Sequence, residues 1–197
     1  MIEIKKWGKL KPYSKSKIKR QIVLCSTLRP ANYYLQSLKY RHNGEYNKVP
    51  NYVITRDGDI LNILPDLSYR KFFDDDDVNK NSIIISLENL GWLRQLPLKI
   101  FYTNWIGDIY KENVFEKKWR EKDFWQPFTD KQIESLSKLC DHLFKKYSIK
   151  NKFIGHNTKV DGIKIFEGVV CKSNFDTKYT DVSPAFDFDF LKKIENE

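Results

Sequence analysis

The stretch Ile22 to Pro30, IVLCSTLRP, runs three apolar residues into a thiol and two hydroxyls before a proline closes it. Such a pattern reads as a buried strand whose tip holds Cys25, Ser26 and Thr27. A cysteine in that place is either a small core residue or, as a thiolate, a nucleophile or metal ligand. A second candidate is His156, at the polar tip of the short strand KFIGH over 152–156. Taken by itself, it reads as a satisfied strand-end histidine. His42 falls at a helix end, and His142 lies beside the apolar stripe of another helix, so both read as structural. The acidic run Asp74 to Asp77 reads as a solvated loop, because ligands for a hard cation alternate along a loop instead of standing side by side.

These groups need a framework. Residues 20–26 form a buried strand, and ANYYLQSLKYRH over 31–42 a helix that starts after Pro30. In NYVITRDGDILNILP, Asp57-Gly58 separates two β-branched runs, a strong hairpin signal. NSIIISLEN over 81–89 reads as a central strand. Residues 90–128 are aromatic-rich and without clear period, an excursion of short strands holding Trp92, Trp105, Trp119 and Trp125. FTDKQIESLSKLCDHLFKKYSI is the clearest helix: Ile133, Leu136, Cys140, Leu143, Phe144 and Tyr147 share one face, and Thr129 with Gln132 fits a capping box. TDVSPAFDFDFLKKI closes the chain with a turn and a short terminal helix. Strands mixed with helices in this order predict a single α/β domain with a central mixed β-sheet flanked by helices, residues 20–197, preceded by a basic arm over 1–19.

Composition narrows the classes. The 197 residues are 41% hydrophobic and 15% aromatic, enough to build a core and to exclude general disorder. No run approaches the roughly 18 apolar residues of a membrane helix. The first twenty residues lack the apolar core of a signal peptide, which predicts a cytoplasmic or phage-virion product. Cys25, Cys140 and Cys171 have no paired spacing, so disulfides are not expected. The net charge of +9 is concentrated near the start, where Lys5, Lys6, Lys9, Lys11, Lys15, Lys17, Lys19 and Arg20 face only Glu3. That balance suits phosphates, acidic glycans or other anionic surfaces.

In order, IVLCSTLRP, NYVITRDGDILNILP, NSIIISLENLGWL, the capped helix, FIGH and TDVSPAFDFDFL resemble the zinc amidase family of N-acetylmuramoyl-L-alanine amidases, phage lysozyme-amidases and peptidoglycan recognition proteins. The resemblance spans about residues 20–191. It implies a zinc ion held by two histidines and an Asp or Cys, with an open position for water. It also implies a carboxylate or tyrosine for proton transfer, and a lysine two residues before the third ligand to stabilise the oxyanion. The bond cut joins the lactyl group of N-acetylmuramic acid to L-alanine.

Carried onto this chain, the resemblance places His156 at the second histidine and Asp181 at the third ligand. The first histidine falls on Leu24 in the register fixed by Pro30, or on Cys25 if the register shifts by one. The catalytic carboxylate becomes Ser86, while Glu88 matches the second Glu of the motif and Ile84 replaces its Gly. Pro50 and Asn51 stand where some members carry Tyr-His. Tyr179 replaces the lysine, with Lys178 adjacent, and the segment 157–180, holding Cys171, is a long insertion that covers or rebuilds the site. Asn51, Glu88 and Trp92 fall on the substrate side.

So depleted a set predicts zinc absent or weakly bound and hydrolysis impaired. Three functions follow: an amidase-derived protein that binds peptidoglycan or muropeptides without cutting; an active zinc amidase built on Cys25, His156 and Asp181; or a virion or host-takeover module that contacts protein or nucleic acid through the basic arm.

Overall fold

The computed structural model describes residues 2–8, 13–16, 18–97 and 101–189. Two short strands, β1 (Lys5–Lys6) and β2 (Ser14–Lys15), precede β3 (Gln21–Ser26) and helix α1 (Ala31–Tyr40). Strands β4 (Tyr52–Ile54), β5 (Ile60–Asn62) and β6 (Ser68–Tyr69) lead to α2 (Asp76–Asn81) and β7 (Ser82–Leu87). There follow β8 (Trp92–Gln95), β9 (Tyr102–Thr103), β10 (Ile109–Tyr110), β11 (Phe115–Trp119) and β12 (Lys122–Trp125), and then α3 (Asp130–Tyr147) and β13 (Gly168–Cys171).

The central sheet has the order β1-β5-β4-β7-β3-β13. It is mixed: β3 runs parallel to both β7 and β13, and β4 is parallel to β7 but antiparallel to β5. Strands β3 and β7 are buried along their whole length, which is why both read as unbroken apolar runs instead of alternating ones. The β4–β5 hairpin turns at Asp57-Gly58 as expected. Thr55 N donates to Asp59 O at 3.0 Å and Gly58 sits at φ +86°, where a side chain is disfavoured.

Each sheet face has its own core. On one, Ile22, Leu24, Ile54, Ile83 and Ile85 meet Leu136, Leu139, Cys140 and Leu143 of α3. On the other, Val23, Cys25, Ile84 and Val170 pack with Phe72, Phe73, Val78 and Ile163, while Val53 packs with Leu38 of α1. The expected capping box of α3 is present: Thr129 Oγ1 accepts from Gln132 N at 3.2 Å, and Gln132 Oε1 accepts from Thr129 N at 3.1 Å. The same threonine donates to Arg56 O at 2.7 Å, and Gln132 Nε2 to Glu88 O at 2.9 Å. Thr129→Ala is therefore expected to cost about 1–2 kcal/mol in chemical denaturation, at the upper end for a cap because it also frees the Arg56 carbonyl.

Three expectations are corrected. The acidic run is not a plain loop: Asp75 caps α2, accepting from Asp77 N at 3.0 Å and Val78 N at 3.1 Å. Its charges are answered by Lys80 on Asp76 at 2.8 Å and Lys164 on Asp75 at 2.6 Å. The segment over 1–19 is not simply an arm. Lys5 and Lys6 pair with Leu61 and Asn62, because the open edge of β5 offers hydrogen bonds, and Trp7 and Tyr13 pack against the α1-side core. Lys19 is buried, donating to Lys80 O at 2.9 Å and Ser82 O at 2.8 Å, and burial pushes its pKa down to about 8. Lys9, Lys11, Lys17 and most of the expected terminal helix lie outside the described residues. Finally, the segment 157–180 is not wholly an insertion, since it supplies β13, a buried strand of the central sheet.

The aromatic excursion folds as a five-stranded sheet of order β10-β9-β8-β12-β11. Trp125 is fully buried and Trp119 stacks obliquely on it at 5.4 Å, whereas Trp105 is 46% exposed. Residues 31–42 form α1 only to Tyr40, because His42 and Asn43 take left-handed conformations in the tight turn that follows.

Candidate functional site

Parallel strands bring their C-terminal ends to one edge of a sheet, where open α/β folds place their sites. Here β7, β3 and β13 end side by side, with Cys25 opposite Ser86 and Leu24 opposite Cys171. The pleat sends Leu24 and Cys171 to the α3 side and Cys25 to the other. Cys25 Sγ lies 3.0 Å from Ser86 Oγ and donates to Ile85 O at 3.5 Å. The Tyr34 side chain of α1 stands near the same serine. Burial, reinforced by the Asp181 charge, pushes the Cys25 thiol up to about 12, and burial also raises Tyr34. The thiol is therefore protonated and weakly nucleophilic at neutral pH.

Asp181 is buried, and its Oδ2 accepts from Ser26 N at 3.1 Å. The same oxygen lies 3.4 Å from Lys172 Nζ, which projects from just beyond β13, the two side chains being 3% and 15% exposed. Burial works against the Lys172 charge, but Asp181 together with the Cys25 and Tyr179 side chains outweighs it and raises the lysine pKa. The ammonium also stands 4.6 Å from the Tyr179 ring and 5.6 Å from that of Phe72. Around Asp181, the buried hydroxyls of Ser26, Ser173 and Ser183 have no hydrogen-bond partner among the described residues.

The structure thus brings together Cys25, Ser86 and Asp181, and among the described residues no recorded hydrogen bond joins His156 to any of them. That histidine is exposed, its Nδ1 accepting from Thr158 N at 3.2 Å. Its segment pairs with β13 at a bridge between Phe153 and Val169, with Ile154 N donating to Val169 O at 3.1 Å, and Asn174 Nδ2 donates to His156 O at 2.9 Å. Among the described residues, no group of three His, Cys, Asp or Glu side chains is arranged to hold a metal. Lys178 is exposed and pairs with Asp176 at 3.5 Å, while the Tyr179 ring meets Phe73 edge-on at 6.4 Å.

The expected substrate-side residues divide. Asn51 is buried and structural, donating to Pro65 O and Ser68 O and accepting from Ile84 N. Glu88 is committed to the scaffold: its two oxygens accept from Ala31 N at 2.7 Å, at the start of α1, and from Arg56 N at 2.8 Å. Trp92 is half-buried, with Lys122 4.3 Å from its ring. Two residues of the site were missed. Lys172 follows the apolar run GVVC and is legible as a strand-end cation once that run is read as a strand; Tyr34 lies within the helical segment 31–42 and carries no signal of its own.

This architecture is that of solved muramoyl amidases. Among solved structures, the chain is similar to the N-acetylmuramoyl-L-alanine amidase LysC from Clostridium intestinale URNW (14% identity, TM-score 0.63, covering 100% of this chain and 99% of that one). It is also similar to the endolysin N-acetylmuramoyl-L-alanine amidase LysCS from the same organism (16% identity, TM-score 0.63, 100% and 97% coverage). A third likeness is to the amidase AmiD from E. coli in complex with the substrate anhydro-N-acetylmuramic acid-L-Ala-D-gamma-Glu-L-Lys (18% identity, TM-score 0.53, 92% and 58% coverage). No curated protein matches the chain by sequence. The sequence profile of the N-acetylmuramoyl-L-alanine amidase family matches residues 9–168, and the chain belongs to that family. The match ends before Lys172 and Asp181.

The family is one of zinc amidases, and the residues here do not fit that metal. Zinc selects thiolate, imidazole and carboxylate donors. In this chain the thiol is held protonated, the imidazole is exposed with its Nδ1 accepting from Thr158 N, and the carboxylate already has a cation. The groups left without partners are serine hydroxyls, poor donors for zinc.

Proposed function

We propose that this protein is a member of the amidase family that binds peptidoglycan fragments without hydrolysing them. The observation that carries the proposal is the state of the site's groups. Cys25 and Ser86 form a buried neutral hydrogen-bonded pair beside the partly buried Tyr34, and Lys172 neutralises Asp181. Cleaving an amide requires a group to take a proton from water and a charge to stabilise the oxyanion. A serine in place of the carboxylate cannot take that proton at neutral pH, and the nearby carboxylate is tied to an ammonium.

Binding is supported from two sides. AmiD, similar in fold, holds a muramic acid tripeptide. This chain also keeps indole surface beside the strand ends: Trp105 is 46% exposed, donates from Nε1 to Leu28 O at 2.6 Å and carries Arg29 5.3 Å from its ring. A flat aromatic face fixed in this way suits the apolar face of a sugar ring. The test is co-sedimentation with purified insoluble peptidoglycan. The expected result is retention that soluble muramyl peptide competes away, and that Trp105→Ala weakens by about tenfold, equivalent to about 1.4 kcal/mol. Retention abolished by moderate salt and indifferent to muramyl peptide would instead indicate a charge-driven polyanion contact.

A further inference from the structure

We infer that Lys172 is a resident cation, occupying by its charge the place a divalent metal would take beside Asp181, so that this fold is completed without metal. The inference deepens the reading under Proposed function and rests on it for the claim that the site is not hydrolytic.

Three observations carry it. Asp181 is 2% exposed, and a carboxylate so buried needs a cation or several donors. Its Oδ2 has one backbone donor, Ser26 N at 3.1 Å, and Lys172 Nζ at 3.4 Å. The ammonium is held from its other sides as well, facing the rings of Tyr179 at 4.6 Å and Phe72 at 5.6 Å, both within range of a cation–π contact. Those rings belong to one buried assembly, in which Phe73 meets both Phe72, at 5.4 Å, and Tyr179, at 6.4 Å.

The lysine is also placed by the sheet and not by a flexible loop. It follows β13 directly, and β13 is paired along its length with β3, the strand that carries Cys25. Ser173 N donates to Asp181 O at 2.7 Å, tying the residue after Lys172 to the residue it neutralises. A divalent ion at Asp181 would stand within a few ångströms of this ammonium, and like charges at that range repel strongly in a buried setting. Lysine and metal are therefore alternatives at this position.

Thermal unfolding and metal analysis of the full chain test the inference. Wild-type protein is expected to purify without stoichiometric zinc and to shift its Tm by less than about 1 °C on adding either a chelator or excess zinc, since a metal bound only to the native state would raise Tm by several degrees. Lys172→Met is expected to lower Tm by on the order of 10 °C, because it strands a buried carboxylate. The double variant Lys172→Met/Asp181→Asn is expected to recover most of that loss, and it supplies the reading if the single variant does not fold.

About one zinc per chain in the wild type, lost in Asp181→Asn, would overturn the inference. So would a double variant as unstable as Lys172→Met, or a single variant as stable as the wild type. Failure of peptidoglycan retention alongside the expected metal and stability results would sink the binding proposal and leave the assignment of Lys172 standing.

Discussion

Gly168→Ala is expected to lower the unfolding free energy by about 3–5 kcal/mol, the range of severe single substitutions. Gly168 opens β13 at φ +137°, and a Cβ there would lie 2.3 Å from Lys152 O and 3.0 Å from Phe166 Cε1. The carbonyl cannot step aside freely, because it accepts from Val169 N at 2.7 Å, while Gly168 N donates to Arg20 O at 3.0 Å. One methyl group therefore loosens the strand that carries Lys172 from both its neighbours. Gly162→Ala is the control: that glycine has φ +75° but nothing within 4 Å of an added Cβ. Its loss should stay near the roughly 1–2 kcal/mol of a left-handed alanine. Urea denaturation of the two variants side by side measures the difference, and equal losses would show that β13 is not docked as described.

Asn51→Ala is expected to cost about 3–4 kcal/mol and to leave peptidoglycan retention per folded molecule unchanged. The side chain is 2% exposed and ties three segments together. Nδ2 donates to Pro65 O at 3.1 Å and to Ser68 O at 2.9 Å, and Oδ1 accepts from Ile84 N at 2.9 Å. Removing it takes their side-chain partner from the buried Ser68 carbonyl and the buried Ile84 N–H, each worth about 1–3 kcal/mol, and unties the Pro65 carbonyl. Equilibrium denaturation gives the first quantity and co-sedimentation the second. A stable variant that no longer binds would return Asn51 to the substrate side, where the family resemblance puts it.

These two residues show what could and could not be read from the chain. Elements whose signal is local were legible: the fully apolar β3 and β7, the Asp57-Gly58 hairpin, and α3 with its Thr129–Gln132 box. The short strand β13 was not, because four residues between lysine- and glycine-containing loops carry no period; only pairing with β3 makes GVVC a strand. The site then went astray for the same reason. Which strand end meets Cys25 depends on strand order, a long-range property, so Lys172, beside Asp181, went unnoticed. The acidic run was misread on composition, since capping by Asp75 depends on where the helix begins. Cys25 was ambiguous by one residue of register, and in a pleated strand one residue decides the face. The structure turns it toward Ser86 and turns Leu24 toward α3.

The central claim, an amidase-family protein that binds its wall fragment and leaves it whole, is tested most directly by the products it releases. Purified protein is incubated with peptidoglycan in zinc-supplemented buffer, and the soluble fraction is examined by mass spectrometry for stem peptides with a free L-alanine N-terminus. The account predicts none above a protein-free control, although the protein sediments with the wall material. Accumulation of those peptides, abolished by Asp181→Asn, would contradict it.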